Sequence, residues 1–341
     1  MISRTLLLAA ASLALLGGCG ADQPVSPTPE PPTPVPTQPQ PEPQPPTPPQ
    51  PKPDSQPQPK PDSQPQPPQP PPPPPPPPPA TTATLVGAGD IAVCGSSGAE
   101  QTAKLLDKIS GEVFAAGDNA YSAGSLTQYQ QCYHPSWGRH KSRTHPVPGN
   151  HEYETAGASG YFSYFGSAAG PSNRGYYSYN VGAWHVVALN SEQSTSSGDA
   201  QLVWLAQDLK ANPAKCTAAI LHKPRFSSGN HGDQTHLQAL WQVLYDNGVD
   251  VVVSGHDHHY ERFAPMTPSG ARDDARGIRS FVVGTGGAAF YGVGSPRANS
   301  EFITNKYFGV LRLDLSATSF AWQFVTAPDG KVMVSGTANC H

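Results

Sequence analysis

Short hydrophobic runs recur along residues 81–341, and five of them end directly in a polar motif. Apolar runs bounded by turn residues are typical of buried strands. Because ligands of open α/β sheets bind outside the carboxyl ends of the strands, we expect the five motifs to converge on one rim. They are Gly89-Asp90, Gly117-Asp118-Asn119-Ala120-Tyr121, Gly149-Asn150-His151-Glu152, His222-Lys223-Pro224 and Gly255-His256-Asp257-His258.

Segments with helical spacing alternate with these runs. Residues 99–109 are helix-like, and residues 199–209 contain a leucine at every third or fourth position. Thr235 forms a capping box with Gln238, which predicts the start of a third helix with one apolar face. Residues 176–189 predict a hairpin, and residues 308–335 predict a closing antiparallel set. This order predicts an α/β fold with one mixed sheet, or two packed sheets, and the helices outside.

The N-terminal segment is typical of a targeting signal. Arg4 precedes an apolar run over residues 5–16 that is too short for a permanent membrane span, and the run ends in Leu16-Gly17-Gly18-Cys19. This pattern resembles a bacterial lipobox, so residues 1–18 are predicted to be a lipoprotein signal peptide and Cys19 the lipidated residue. An ordinary secretory signal is the alternative. The expected location is the cell envelope, anchored to a membrane and facing the periplasm or the exterior.

A proline- and glutamine-rich segment follows over residues 19–80 and contains most of the 42 prolines of the chain. Such a composition cannot build a core and favours extended polyproline II, so we expect a disordered, semi-rigid stalk. A proline-rich docking ligand is the competing interpretation. Residues 81–341 are then one folded domain, which is long enough for one sizeable core.

Charge and cysteine content narrow the interpretation further. The formal net charge is −4 and no basic cluster is present, so nucleic acid is not an expected partner. Besides Cys19, an even set of cysteines in an exported chain suggests two disulfides, with three possible connectivities and free thiols as the alternative. The favoured pairing joins Cys94 to Cys132, which would brace the rim, and Cys216 to Cys340.

Carboxylate, phenol, amide and imidazole groups at five strand ends would supply enough ligands for two metal ions. Each motif also has a plain structural interpretation. Gly-Asp at a strand end is often only a turn, and Tyr121 could be a core aromatic residue. Glu261 and Arg262 are expected to form a structural ion pair.

The segment from residue 81 to about residue 287 resembles the calcineurin-like metallophosphoesterase superfamily and is most similar to its purple acid phosphatase branch. Ala92 stands where most of the superfamily has a histidine ligand, whereas Tyr121, three residues after Asp118, matches the tyrosine ligand of that branch. The run from Gly255 to Arg262 also resembles the signature of the branch. The first motif lacks a usual glycine, and the N-terminal β-domain of the branch is missing.

The resemblance implies a fold, a metal set and a chemistry. The fold is two packed mixed β-sheets flanked by helices, the αββα sandwich of metallophosphoesterases. The implied metals are Fe(III) plus Fe, Zn or Mn. The implied ligands are Asp90, Tyr121 and His258 for the first ion, Asn150, His222 and His256 for the second, and Asp118 as the bridge.

The resemblance further implies that His151 and His231 contact the phosphate or transfer a proton. The expected activity is phosphomonoester hydrolysis by a metal-bound hydroxide, with a small phosphate ester as the substrate. A phosphodiesterase or nucleotidase with the same site is the alternative. A non-enzymatic surface binding protein is a further alternative, which an intact ligand set disfavours.

Overall fold

The computed structural model describes residues 82–171 and 174–341. The predicted signal peptide, Cys19 and the stalk lie outside these residues. Within the described ranges, no helix is both long enough and apolar enough to cross a bilayer.

The described chain contains thirteen strands. They are β1 (Ala83–Ala88), β2 (Glu112–Ala116), β3 (Thr144–Val147), β4 (Tyr177–Val181), β5 (Trp184–Ala188), β6 (Thr217–Ile220), β7 (Val251–Ser254), β8 (Tyr260–Phe263), β9 (Arg279–Val283), β10 (Ser300–Thr304), β11 (Gly309–Leu315), β12 (Ser319–Thr326) and β13 (Lys331–Asn339).

Six α-helical segments accompany them, of which α2 and α3 are a single turn. They are α1 (Gly98–Leu106), α2 (Leu126–Gln128), α3 (Asn150–Tyr153), α4 (Ser159–Phe165), α5 (Ala200–Ala211) and α6 (Gln238–Asp246).

The strands form two mixed sheets. The first has the order β13-β12-β11-β1-β2-β3, in which β1, β2 and β3 are parallel and β11, β12 and β13 extend the sheet in antiparallel fashion. The second has the order β10-β8-β9-β7-β6-β5-β4, with β5, β6, β7 and β9 parallel. The predicted hairpin is β4–β5, and the predicted closing set is β11–β13, so both are confirmed.

The two sheets pack face to face through large aromatic side chains. Tyr260 of β8 stacks on Phe324 of β12 at 4.1 Å between ring centroids, and Trp184 of β5 meets Phe320 of β12 edge-on at 5.5 Å. Aromatic pairs in these geometries stabilise a core beyond the area that they bury. The contacts fix the position of one sheet on the other, as the predicted two-sheet architecture requires.

The outer face of the second sheet is covered by α5 and α6. Along β7, Val251 and Val253 point to the core between the sheets, whereas Val252 packs in a second cluster with α5 and α6. This is the two-residue alternation of a strand that is buried on both faces. The result is a helix layer on the sandwich, which confirms the predicted fold class.

The predicted capping box of the third helix is wrong. Thr235 lies inside a 3₁₀ turn, Thr235–Leu237, and α6 begins only at Gln238 without a side-chain cap. An N-cap residue has to be extended so that its hydroxyl can reach back to the first free N–H groups. Inside a helical turn, Thr235 is not in that conformation.

Candidate metal centre

All five polar motifs lie at the carboxyl ends of parallel strands. The first three follow β1, β2 and β3 of one sheet, and the last two follow β6 and β7 of the other. The rims of the two sheets meet through hydrogen bonds, since Gly89 N donates to Val283 O at 2.9 Å and His222 Nδ1 lies 2.9 Å from Ala116 O. The motifs therefore converge on one site, as the sequence predicts.

Three of the predicted ligands form the first group. The Tyr121 hydroxyl donates to Asp90 Oδ1 at 2.9 Å and lies 3.0 Å from His258 Nε2. His258 Nε2 and Asp90 Oδ1 are 3.2 Å apart. All three side chains are buried, so one phenol, one carboxylate and one imidazole face each other away from bulk water.

Three further ligands form the second group. His222 Nε2 lies 3.2 Å from both Asn150 Oδ1 and His256 Nδ1. His222 and His256 are buried, and Asn150 is half-buried at the start of α3. Two imidazoles and one amide oxygen thus converge on a second position.

Asp118 lies between the two groups. Its Oδ2 atom is 3.2 Å from the Tyr121 hydroxyl and 3.2 Å from His222 Nε2. Its Oδ1 atom is fixed separately, because it accepts the His151 backbone N–H at 2.9 Å. One oxygen of Asp118 therefore faces both groups, which is the position that a bridging carboxylate needs.

Backbone hydrogen bonds fix which nitrogen of His222 and of His258 faces the site. His222 Nδ1 bonds to Ala116 O and His258 Nδ1 bonds to Ala289 O at 2.6 Å. A carbonyl can only accept, so Nδ1 carries the hydrogen and Nε2 faces the other ligands. This is the arrangement by which proteins orient metal-ligating histidines.

The backbone at three ligand positions is left-handed. Asp90, Asp118 and His256 have φ values of 59°, 49° and 71°. Left-handed non-glycine residues cost of the order of 1–3 kcal/mol each and cluster at functional sites. Gly117, directly before Asp118, is left-handed as well, with a φ of 81°.

The glycine of the third motif allows a close approach. A Cβ atom on Gly149 would lie 2.2 Å from Asp118 Oδ1 and 2.8 Å from His222 Cδ2. No side chain fits there, so glycine permits Asp118 and His222 to pack against the backbone.

The electrostatics of the site favour a bound cation. Burial alone would lower the pKa of His222, but Asp118 outweighs it and raises the pKa to about 10. The pKa of His258 is raised as well, because Asp90 outweighs burial. Burial and the charge on His222 lower the pKa of His256 to about 2. Positive charge is thus stabilised on His222 beside Asp118 and on His258 beside Asp90, but not on His256.

The donor set fits metal ions on chemical grounds. Ligand atoms of Asp118, His222 and His256 lie within 4.8 Å of one another, and all three residues are buried. Carboxylate oxygens, imidazoles, an amide oxygen and a phenol are suitable ligands for iron, zinc and manganese. The residues around Asp118 are therefore arranged as two ligand groups that share one carboxylate oxygen.

Glu152 supports this arrangement, and sequence reasoning assigned it no role. It is completely buried, and its carboxylate accepts N–H groups of Asp118 and Gly149 at 2.9 and 2.7 Å. It also accepts the N–H groups of Asn119 and Ala120 and the Tyr129 hydroxyl. Glu152 therefore ties the second motif to the third. The position of Glu152 in the Gly-Asn-His-Glu run was the sequence feature that could have indicated a role for it.

The two predicted catalytic histidines border the centre. His151 is partly exposed, and its Nε2 atom lies 3.8 Å from Asp118 Oδ2. His231 is exposed, with its ring 4.3 Å from the His256 ring. Both side chains are thus solvent-accessible and lie beside the buried ligand cluster.

Tyr291 is a further residue at the rim that no motif indicated. Its ring stacks on the His258 ring at 3.9 Å between centroids, and it meets His231 at 5.4 Å. Burial, Asp90 and Asp118 raise the pKa of its phenol. Tyr291 therefore remains protonated near neutral pH and covers one side of the centre.

The predicted ion pair of Glu261 with Arg262 is wrong. Adjacent residues of β8 point to opposite faces, so their side chains cannot meet. Glu261 is buried and lies 3.0 Å from His259 Nε2, whereas Arg262 pairs with Glu301 at 2.9 Å.

Both favoured disulfides are present. Cys94 pairs with Cys132, which joins the loop after the first motif to the segment Tyr129–Tyr133. Cys216 pairs with Cys340, which attaches the end of the last strand to the amino end of β6, opposite the metal ligands. The first disulfide therefore braces the rim and the second one the far side of the sandwich.

Comparison with known proteins agrees with this geometry. A family model described as calcineurin-like phosphoesterase matches residues 83–260, slightly more than half of the chain. Purple acid phosphatase 21 of Arabidopsis thaliana is 31% identical over 224 residues, which are 58% of this chain and 50% of that protein. The chain thus spans half or less of the first curated relatives that it matches.

Solved structures show the same fold. The purple acid phosphatase from yellow lupin (Lupinus luteus) superimposes with a TM-score of 0.61 at 20% identity, over 76% of this chain and 54% of that one. GAP50, the anchor in the inner membrane complex of Plasmodium, superimposes with a TM-score of 0.63 at 16% identity, over 76% and 89% of the two chains. At these identities the likeness concerns the fold alone, so the chemistry has to be argued from the ligand residues.

Proposed function

This chain belongs to the calcineurin-like phosphoesterase family, and we propose that it is a dinuclear-metal phosphomonoesterase similar to purple acid phosphatases. We further propose that it is exported and anchored to a membrane through a lipid on Cys19. Its substrate would be a small phosphate ester.

The position of Asp118 carries the proposal. One of its oxygens lies 3.2 Å from a ligand of each group, so the two groups share a buried carboxylate. A single-metal site would need no such bridge. Two bound ions would supply the water activation and the charge neutralisation that phosphate-ester hydrolysis requires.

Tyr121 supports a trivalent ion in the first group. Burial raises the pKa of Tyr121 well above 10, and the neighbouring Asp90 and Asp118 raise it further. The phenol can ligate as a phenolate only if a strongly charged cation lowers that pKa again. We therefore assign Fe(III) to Asp90, Tyr121 and His258, and Fe, Zn or Mn to the second group.

The charge of the proposed centre favours a monoester. Asp90, Asp118 and a Tyr121 phenolate would leave a trivalent and a divalent ion only partly neutralised. A phosphate monoester carries more negative charge than a diester, so it gains more from the remaining positive charge. The preference is modest, because a diester is attracted as well.

His151 and His231 have proposed roles at the open side of the centre. Their partial exposure and their distances to Asp118 and His256 support contact with the phosphate. Either imidazole could also donate a proton to the leaving oxygen, because histidine is the side chain that most often acts as a general acid or base.

The test compares hydrolysis of an aryl phosphate monoester with that of its diester by the metal-loaded chain, with Asp118→Asn as the blank. We expect a faster rate on the monoester and almost no rate in the variant. A faster rate on the diester would move the proposal to phosphodiesterase activity. No hydrolysis of either ester by the metal-loaded wild type would favour a binding role.

Membrane attachment needs a separate test, because Cys19 and the stalk lie outside the described residues. Cells that express the full chain should keep it in the membrane fraction, and Cys19→Ala should release it into the soluble fraction. Retention of the variant in the membrane would contradict the lipid anchor.

A further inference from the structure

The loop between His222 and His231 is held by two buried carboxylates, Asp257 and Glu261. Both belong to the segment that also contains His256 and His258. The loop thus connects a ligand of the second group to a histidine at the rim, and it is fixed by side chains from the last motif.

Both carboxylate oxygens of Asp257 accept hydrogen bonds from this loop. Its Oδ1 atom accepts the His231 backbone N–H at 2.9 Å, and its Oδ2 atom accepts the Ser227 hydroxyl at 2.5 Å. Asp257 is completely buried and Ser227 is 1% exposed. A buried carboxylate that has these two donors cannot shift without leaving a polar group unpaired.

The backbone of Gly229, within the loop, packs closely against Asp257. A Cβ atom on Gly229 would lie 2.4 Å from Asp257 Cγ. The Gly229 N–H donates to the Ser227 hydroxyl at 3.0 Å, so the turn before His231 continues the same network. Asp257 therefore contacts the loop at Ser227, Gly229 and His231.

Glu261 holds the same loop without contacting His231. It accepts the backbone N–H and the hydroxyl of Ser228 at 2.9 and 2.6 Å. The chain thus contains two neighbouring serine–carboxylate contacts, of which only the one with Asp257 extends to His231. This difference supplies a matched control.

We propose that Asp257 is a positioning residue that holds His231 against the metal centre. The inference rests on the proposed function, in which His231 contacts the phosphate. Asp257 lies between His256 and His258, so one short segment sets both the metal ligands and the position of His231. The hydrogen bond from the His231 N–H to Asp257 ties the His231 backbone to this segment, and the His231 ring lies 4.3 Å from the His256 ring.

The test is a double-mutant cycle on kcat/KM for an aryl phosphate monoester. We expect Asp257→Ala to lower kcat/KM by roughly 10- to 100-fold, the usual range for residues that orient a site. In a His231→Ala background the same change should cost less than about 2-fold, because the two residues act as a unit. Equal losses in both backgrounds would overturn the proposal.

Conservative and control variants separate the effect of the Asp257–His231 contact from general effects on the loop. Asp257→Asn should keep activity within about 5-fold, because its carbonyl oxygen can accept the His231 N–H and its amide can donate to Ser227. Ser227→Ala should lower kcat/KM less than Asp257→Ala does, and it serves as the second variant if Asp257→Ala does not fold. Ser228→Ala should lower thermal stability but leave kcat/KM unchanged. An equal loss of kcat/KM in Ser228→Ala would contradict the proposal.

Two further readouts separate this inference from the proposed function. The metal content of Asp257→Ala should equal that of the wild type, and a loss of metal would show that Asp257 acts on the ligands instead. If the wild type hydrolyses no ester, the proposed function fails, and calorimetric titration with inorganic phosphate then tests Asp257. Weaker phosphate binding in Asp257→Ala, but no added effect in His231→Ala, would support the inference. Unchanged phosphate binding would overturn it.

Discussion

Each aspartate of the centre uses its two oxygens differently. One oxygen of Asp90 accepts the His256 N–H at 2.8 Å and the other faces Tyr121 and His258. Asp118 likewise has one oxygen on the His151 N–H and one between the two groups. In each aspartate, the oxygen that faces the ligands is therefore oriented by a backbone N–H that binds the other oxygen of the same carboxylate. Motif spacing predicted which residues meet, but it did not predict these backbone contacts. The contacts depend on left-handed φ values, which aspartate and histidine can adopt but do not require.

Tyr121 is the residue that distinguishes an iron site from a site with two divalent ions. Tyr121→Phe should abolish the visible charge-transfer band of the iron-loaded protein, because the phenolate donor is missing. Tyr129→Phe is the matched control: it removes the hydroxyl of a buried tyrosine that contacts Glu152 instead. The measurement is an absorption spectrum of each iron-loaded protein. A colourless wild type that is active with two divalent ions would contradict the assignment of Fe(III).

Glu152 should contribute to stability more than any single donor that it pairs with. Glu152→Ala would leave four backbone N–H groups and the Tyr129 hydroxyl without an acceptor. Because unpaired buried donors are costly, we expect a loss of about 3–5 kcal/mol in the free energy of unfolding. Tyr129→Phe should cost only about 1 kcal/mol. Urea unfolding measures both, and similar losses would show that the carboxylate is not the centre of this network.

At the scale of elements, the sequence predicted strand ends better than sheet membership. A hydrophobic run followed by a polar motif indicates where a strand stops, and β1, β2, β3, β6 and β7 all stop as expected. It does not indicate that β1–β3 and β6–β7 belong to different sheets. That choice depends on cross-sheet contacts such as Tyr260 with Phe324, between residues far apart in the chain. The loop that carries Tyr291 was missed for the same reason, since only tertiary packing brings it to the rim.

The two disulfides join elements at opposite ends of the sandwich and should differ in effect. Their sequence separations of 38 and 124 residues correspond to about 4 and about 5 kcal/mol in the loop-entropy model. Replacing Cys216 and Cys340 by serine should therefore lower thermal stability at least as much as replacing Cys94 and Cys132. Only the replacement of Cys94 and Cys132 should also lower activity and metal affinity, because Cys94 follows the loop of Asp90. Loss of activity in both double variants, under conditions where both remain folded, would contradict this division.

At the scale of the whole molecule, the two packed sheets bring the carboxyl ends of their parallel strands together at one site. The core between the sheets fixes their relative position, and α5 and α6 shield the outer face of the second sheet. Neither sheet alone carries a complete ligand set, since Asp90, Asp118, Tyr121 and Asn150 follow strands of the first and His222, His256 and His258 follow strands of the second. The centre is thus a consequence of the sandwich, and loss of sheet packing should destroy both ligand groups together.

The most direct test of the dinuclear centre is a metal titration of the chelated full chain, with hydrolysis of an aryl phosphate monoester as the readout. We expect circular dichroism to show a retained fold after chelation, and we expect activity to return only when two ions per chain are bound. Asp118→Asn should stay almost inactive at every metal concentration. Full activity with one ion per chain, or hydrolysis that is unaffected by Asp118→Asn, would contradict a dinuclear centre bridged by Asp118.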